Sequence, residues 1–163
     1  MRSDMILSYV RDLIEDMLGH RPVPTVDSEL QVTNGSSVFF FRVDQPSDPL
    51  VKVWTIAACD LALTPELLCV LNEMNQKIQF ARAFWINSQL FIESEIWGCD
   101  VNPANFQFAC SNVQSVTNEY GPRVISELGG HAWIDSLAQT EDHRSELTVR
   151  DTSNDIETVG PYL

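Results

Sequence analysis

Three consecutive phenylalanines, Phe39-Phe40-Phe41, sit in the middle of a run from Ser37 to Val43 that turn-forming residues bound on both sides. Successive side chains of a strand point to opposite faces of its sheet, so such a triplet places large apolar groups on both. A strand of this kind cannot have one fully wet face, and something must cover its second side.

The neighbouring runs make this strand part of a meander. Thr25 to Thr33 carries Val26, Leu30 and Val32 at period two and leads through Asn34-Gly35 into the phenylalanine strand. Asn-Gly between two such runs is a hairpin signal, and it accounts for the sequon-like Asn34-Gly35-Ser36 without glycosylation. A second turn, Asp44 to Pro49, precedes a third strand over Leu50 to Ala57 with Val51, Val53, Trp54 and Ile56.

Helices flank the meander. Ile6, Val10, Leu13, Ile14 and Met17 recur at helical spacing between Ser3, a candidate N-cap, and Gly19, a candidate C-terminal stop. Thr64-Pro65-Glu66 reads as a helix start, with Leu67, Leu68, Leu71, Met74 and Ile78 as the apolar stripe and Cys69 as a small apolar filler. Phe80 to Ile86 and Gln89 to Trp97 form a second hairpin around Asn87-Ser88. It sets Leu90, Ile92 and Ile96 on one face and Phe91, Glu93, Glu95 and Trp97 on the other. A last helical pattern runs from Asn102-Pro103 to Leu128 through Phe106, Ala109, Cys110, Val113, Val116 and Tyr120, and Pro122 should kink or split it.

The fold class is therefore α+β, in the order helix, three-strand antiparallel meander, helix, two-strand hairpin, helix. Residues 1–129 form the domain. Residues 130–163 turn acidic and poor in apolar side chains, which reads as a largely disordered tail. Within that tail, Trp133-Ile134 with Leu137, and Val159 to Leu163, are apolar enough to dock on the domain or on a partner.

Charge removes two partner classes. With 23 Asp and Glu against 10 Lys and Arg the chain carries a net charge of -13, which repels nucleic acid and anionic membrane surfaces. No apolar run approaches a membrane span, and Met1-Arg2-Ser3-Asp4 does not begin a secretory leader, so a cytoplasmic address follows by elimination.

Catalytic chemistry finds little support. His20, His131 and His143 lack the spacing of a metal site, and Cys59, Cys69, Cys99 and Cys110 form no Cys-x-x-Cys pair. Few cations lie near any cysteine, as an activated thiol would require. Glu93 and Glu95 project from one strand face about 7 Å apart, a spacing open to acid/base work, although a solvated strand face accounts for them better. No catalytic, cofactor-binding or metal residue is assigned. Asn72 and Asn75 are unusual in a mid-helix setting; they either satisfy backbone groups on an adjacent strand or across a dimer interface, or are plain exposed positions.

The element order, together with Leu67-Leu68-Cys69-Val70-Leu71-Asn72-Glu73-Met74-Asn75-Gln76-Lys77-Ile78, Phe80-Ala81-Arg82-Ala83-Phe84 and Leu90-Phe91-Ile92-Glu93, resembles the YbjN family and the related type III secretion chaperone-like domains, small acidic bacterial proteins. The resemblance spans about residues 3 to 128. It implies a twisted antiparallel sheet with helices packed on it, a homodimer, apolar grooves that hold an extended client polypeptide, and no catalytic residues or cofactor. On that reading Phe39, Phe41, Phe91 and Trp97, with Asn72 and Asn75, are the candidate client or dimer contacts, because large aromatics dominate interface energetics. The alternatives are that the aromatics are core, or that a regulatory dimer binds a basic partner through its acidic tail.

Overall fold

A computed structural model of the chain describes residues 3–19, 21–25, 29–44 and 48–136. Helix α1 (Ser3–Leu18) buries Ile6, Val10, Leu13 and Ile14 and ends at Gly19 with φ +74°, while Met17 at its last turn is exposed. Six antiparallel strands follow: β1 (Val23–Pro24), β2 (Leu30–Asn34), β3 (Ser37–Asp44), β4 (Leu50–Ala58), β5 (Arg82–Ile86) and β6 (Gln89–Trp97). They make one sheet in the order β1-β2-β3-β4-β6-β5. The expected meander and hairpin thus join through β4 and β6, and two residues between α1 and β2 add the short edge strand β1. Val26 lies outside the described residues.

Both hairpins follow from their turn residues. The first turn is centred on Gly35-Ser36, one position later than the Asn-Gly pair suggests, because Asn34 stays in register opposite Ser37. Gly35 supplies the positive φ of +60°. In the second, Asn87 and Ser88 both take positive φ, 49° and 64°, the twist-matched geometry of a two-residue loop.

Helix α2 (Pro65–Lys77) is capped by the Thr64 hydroxyl, which accepts from the Leu67 N–H at 3.2 Å, with Pro65 opening the first turn. Its buried residues are Leu67, Val70 and Met74, with Leu71 and Ile78 partly buried. Leu68 and Cys69 are exposed, against expectation. Each residue advances 100° around the helix, so a stripe centred on 67, 70, 71 and 74 carries positions 68 and 69 off the buried side.

Helix α3 (Pro103–Leu128) crosses the sheet over β4 and β6. It passes through Pro122 as one element and does not split. Pro122 is exposed, so the carbonyl it leaves without a donor, that of Asn118, lies on the solvent side, while buried Gly121 lets the helix approach Ala57 of β4 closely. The three helices cover one sheet face and enclose the main core, which includes Phe39, Phe41, Val53, Leu90, Ile92 and Phe106.

Beyond α3 the chain turns back across the other end of the sheet. Residues 130–136, assigned by composition to the tail, pair with β4 just past its end and lay Trp133 and Ile134 against Val38, Phe40 and Trp54. Residues 137–163, including Leu137 and the cluster Val159 to Leu163, lie outside the described residues.

Candidate functional site

The helix-free face of the sheet follows from register, since directly paired residues share a face. Phe40 faces Trp54, Trp54 faces Glu93 and Glu93 faces Arg82; alongside, Ile56 faces Phe91 and Phe91 faces Phe84. The next rows are Arg42–Lys52–Glu95 and Asp44–Leu50–Trp97. One part of the face is therefore aromatic and aliphatic and the adjoining part charged.

Aromatic stacking orders the apolar part. The Phe40 and Trp54 rings stack at 5.7 Å, and those of Phe84 and Phe91 at 5.4 Å and nearly parallel. Guanidinium groups join the two parts, with Arg42 5.5 Å from the Trp54 ring and Arg82 5.5 Å from the Phe84 ring.

The charged part is a linked network. Arg42 meets Asp44 at 2.6 Å and Glu29 at 3.1 Å, Lys52 meets Asp44 at 3.0 Å and Glu95 at 3.5 Å, and Arg82 bridges Glu93 and Glu95. Burial acts to raise the Asp44 carboxyl, but hydrogen bonds from Lys52 and Arg42 outweigh it and hold the group below the usual carboxylate range. Burial likewise works against the Lys52 charge, and Asp44, Glu93 and Glu95 together raise its pKa. Glu93 is buried and hydrogen-bonded to Arg82, so it is a paired carboxylate and not the solvated one the alternation pattern suggests.

The segment after α3 occupies the apolar part. Gly129 and Gly130 both take φ +85°, and a Cβ on Gly130 would come within 2.2 Å of the Cys59 carbonyl oxygen. That approach lets His131 exchange two backbone hydrogen bonds with Cys59, at 2.8 and 3.2 Å. The His131 ring reaches Asp60 at 3.3 Å through Nδ1 and the Ser136 hydroxyl at 2.6 Å through Nε2. Trp133 and Ile134 then cover Val38, Phe40 and Trp54, with Ile56 and Phe91 packed around them. The covering layer demanded by the phenylalanine triplet is this short segment. The Trp133 indole N–H is buried and has no acceptor among the described residues. Beside it opens a groove of about 450 Å³ bounded by Val38, Ile56 and the α3 residues Thr117, Gly121 and Ile125.

A second groove, of about 280 Å³, lies on the helix side between α1 and α3, with Val32, Phe39 and Phe41 among its lining residues and Leu18 and Cys110 on its walls. Val32 and Asn34 of β2 line it, and on the outer edge of that strand β1 pairs only with Leu30 and Gln31. The two-residue turn makes Asn34 and Val32 the residues that bond to β3, which turns the Thr33 N–H and C=O outward at an uncovered edge.

The opposite edge is capped at one residue. The Asn75 side-chain amide accepts from the Ala83 N–H and donates to the Ala83 carbonyl, both at 2.8 Å, capping the middle of β5. Asn75 therefore satisfies backbone groups on an adjacent strand, one of the two roles open to it from sequence, while Asn72 is exposed on α2. Of the other candidates, Phe39 and Phe41 are in the main core under the helix-side groove, Phe91 is half-buried on the helix-free face, and Trp97 is 54% exposed at the far end of that face. The candidates are thus divided between two faces. Phe40, Trp54 and Phe84, which complete the aromatic patch, were not singled out; their signal was the strand alternation, which puts Phe40 opposite in sense to Phe39 and Phe41.

The thiols do not converge on this face. Burial pushes Cys110 up to about 12, and burial with the Asp60 charge raises Cys59. Cys69 and Cys99 are exposed. Titration with a thiol reagent at neutral pH is expected to modify Cys69 and Cys99 promptly and Cys59 and Cys110 only after denaturant is added; four equally fast thiols would contradict the packing.

Comparison with known proteins agrees with the geometry. Residues 4–136 match a family model described as T3SS (YopN, CesT) and YbjN peptide-binding chaperone 1. The match runs to the last described residue and includes the segment seated on the sheet. Among solved structures, the crystal structure of the ExsC–ExsE complex contains a chain of the same fold, with a TM-score of 0.58 at 8% identity, covering 71% of this chain and 92% of that one. No curated protein matches.

Proposed function

The chain belongs to the T3SS (YopN, CesT) and YbjN peptide-binding chaperone family, and from that premise we propose that it is a non-catalytic chaperone of the bacterial cytoplasm that acts as a homodimer and holds an extended client polypeptide on the helix-free face of its sheet. The observation that carries this reading is the aromatic patch of Phe40, Trp54, Phe84 and Phe91, on which a segment of polypeptide, Trp133-Ile134, is already seated. Burial of apolar side chains there supplies about 25 cal/mol per Å² before ordering costs are subtracted. The adjoining charged rows favour polar residues in register with them. Phe91 and Trp97 are the client anchors, while Phe39 and Phe41 act from beneath by fixing the sheet. Among the described residues no helix is long and apolar enough to cross a membrane.

The test places a photo-crosslinking amino acid at Trp97, on the sheet face, and separately at Ser126, exposed on α3, in the full-length chain expressed in its host. Cross-linking from position 97 to a defined segment of another polypeptide, and not from 126, is the expected result. Capture of nothing but a second copy from both positions would refute client holding. Sedimentation velocity should give a mass twice that of one chain, and a monomer across the accessible concentration range would remove the homodimer from the proposal.

A further inference from the structure

We propose that residues 131–136 are an internal stand-in for the client, a strap that occupies the apolar part of the binding face and must be displaced for a client to bind. This inference rests on the client-holding reading of that face and adds two things to it: which side chains the site accepts, and how access is controlled.

The strap meets the sheet as a bound peptide would. One residue, His131, exchanges a backbone hydrogen-bond pair with Cys59 just beyond β4, and the next residues deliver an aromatic and an aliphatic side chain, Trp133 and Ile134, to Val38, Phe40 and Trp54. The site therefore accepts an aromatic residue followed directly by an aliphatic one.

The attachment is also suited to release. A single bridge holds the strap's backbone to the sheet, the flanking Gly129-Gly130 pair can adopt other conformations freely, and the Trp133 indole N–H is buried without an acceptor among the described residues. Release of the strap returns that donor to water, and a client that extends along Val38 and Ile56 into the groove of about 450 Å³ gains contacts that the strap lacks. Tethering still gives the strap a high effective concentration, on the order of millimolar. A free segment of equal intrinsic affinity is consequently weakened by the fraction of time the strap is closed.

The experiment titrates a fluorescent peptide of residues 129–136 into the full-length chain and into its Trp133→Ala/Ile134→Ala variant, with anisotropy as the readout. The variant is expected to bind at least tenfold more tightly than the parent chain, and Phe91→Ala added to the variant should weaken that binding again. Equal affinity for both chains, or no binding by the variant, would overturn the strap. If the variant does not fold by circular dichroism, amide hydrogen exchange on the parent chain decides. Exchange at Cys59 and His131 at least tenfold faster than at Val53 in the sheet centre supports a strap that opens, and equal protection makes the segment a fixed part of the fold. Because the peptide comes from the chain itself, this result is independent of whether cross-linking at position 97 captures a client.

Discussion

Replacement of Phe41 by alanine is expected to destabilise the protein by about 3–5 kcal/mol, the range for deleting a large aromatic side chain from a packed core. Phe41 is 1% exposed, lies 5.5 Å from the Phe106 ring on α3 and 6.3 Å from Phe39, and joins the sheet to both terminal helices through the main core. The void left by alanine has little means of closing, because Leu30 and Val53, its direct neighbours across β2 and β4, are themselves fixed by strand register. Urea unfolding followed by far-ultraviolet circular dichroism should show the midpoint falling with the slope unchanged. Trp97→Ala is the contrast: this side chain is 54% exposed, so its loss should change stability by less than about 1 kcal/mol. A comparable loss for both variants would mean that Trp97 is covered in solution, as it would be inside a dimer.

Arg82→Ala is the second substitution with a large expected effect, about 2–3 kcal/mol. The reason is the partner it abandons. Glu93 is buried in the middle of the sheet face, and Arg82 hydrogen-bonds it through both Nε and a terminal nitrogen while also reaching Glu95 at 3.0 Å. A buried carboxylate that loses its cation retains its desolvation penalty, which exceeds the net value of the bond itself. Arg82 is half exposed and would cost little on its own account. Arg82→Leu/Glu93→Leu should therefore recover most of the stability, and chemical denaturation of the single and double variants measures the difference. If the single change costs under about 0.5 kcal/mol, Lys52 is able to hold Glu93 alone.

How far the sequence carried can be judged from particular residues. The Thr64-Pro65 cap, the Gly19 stop and the Asn87-Ser88 turn were legible because each is a local interaction between residues a few positions apart. The Leu68 and Cys69 assignment failed because α2 has apolar residues all round, and periodicity alone does not say which row meets the sheet. Of the kink or split expected at Pro122, the split does not occur, because the cost of a proline depends on whether its orphaned carbonyl is buried, a tertiary fact. The amides of Asn72 and Asn75 look alike in sequence and both are exposed on α2; only the placement of β5 beside the helix decides that Asn75 caps the Ala83 backbone.

The candidate site was harder to read than the fold. Phe39, Phe40 and Phe41 announce that both sheet faces must be covered, and alternation assigns Phe40 to the opposite side from its neighbours. Neither says which side receives helices.

By itself, then, the sequence determined the element types, their order, their turns and caps, and the need for a second apolar layer, since all of these arise from short-range periodicity and backbone preference. Tertiary structure alone decided that β4 and β6 join two hairpins into one sheet, that Arg82 serves a buried Glu93, and that Trp133-Ile134 supplies the missing layer. Those pairings bring together residues 11 to about 90 positions apart, and their partners are selected by shape, register and burial, which no local pattern encodes.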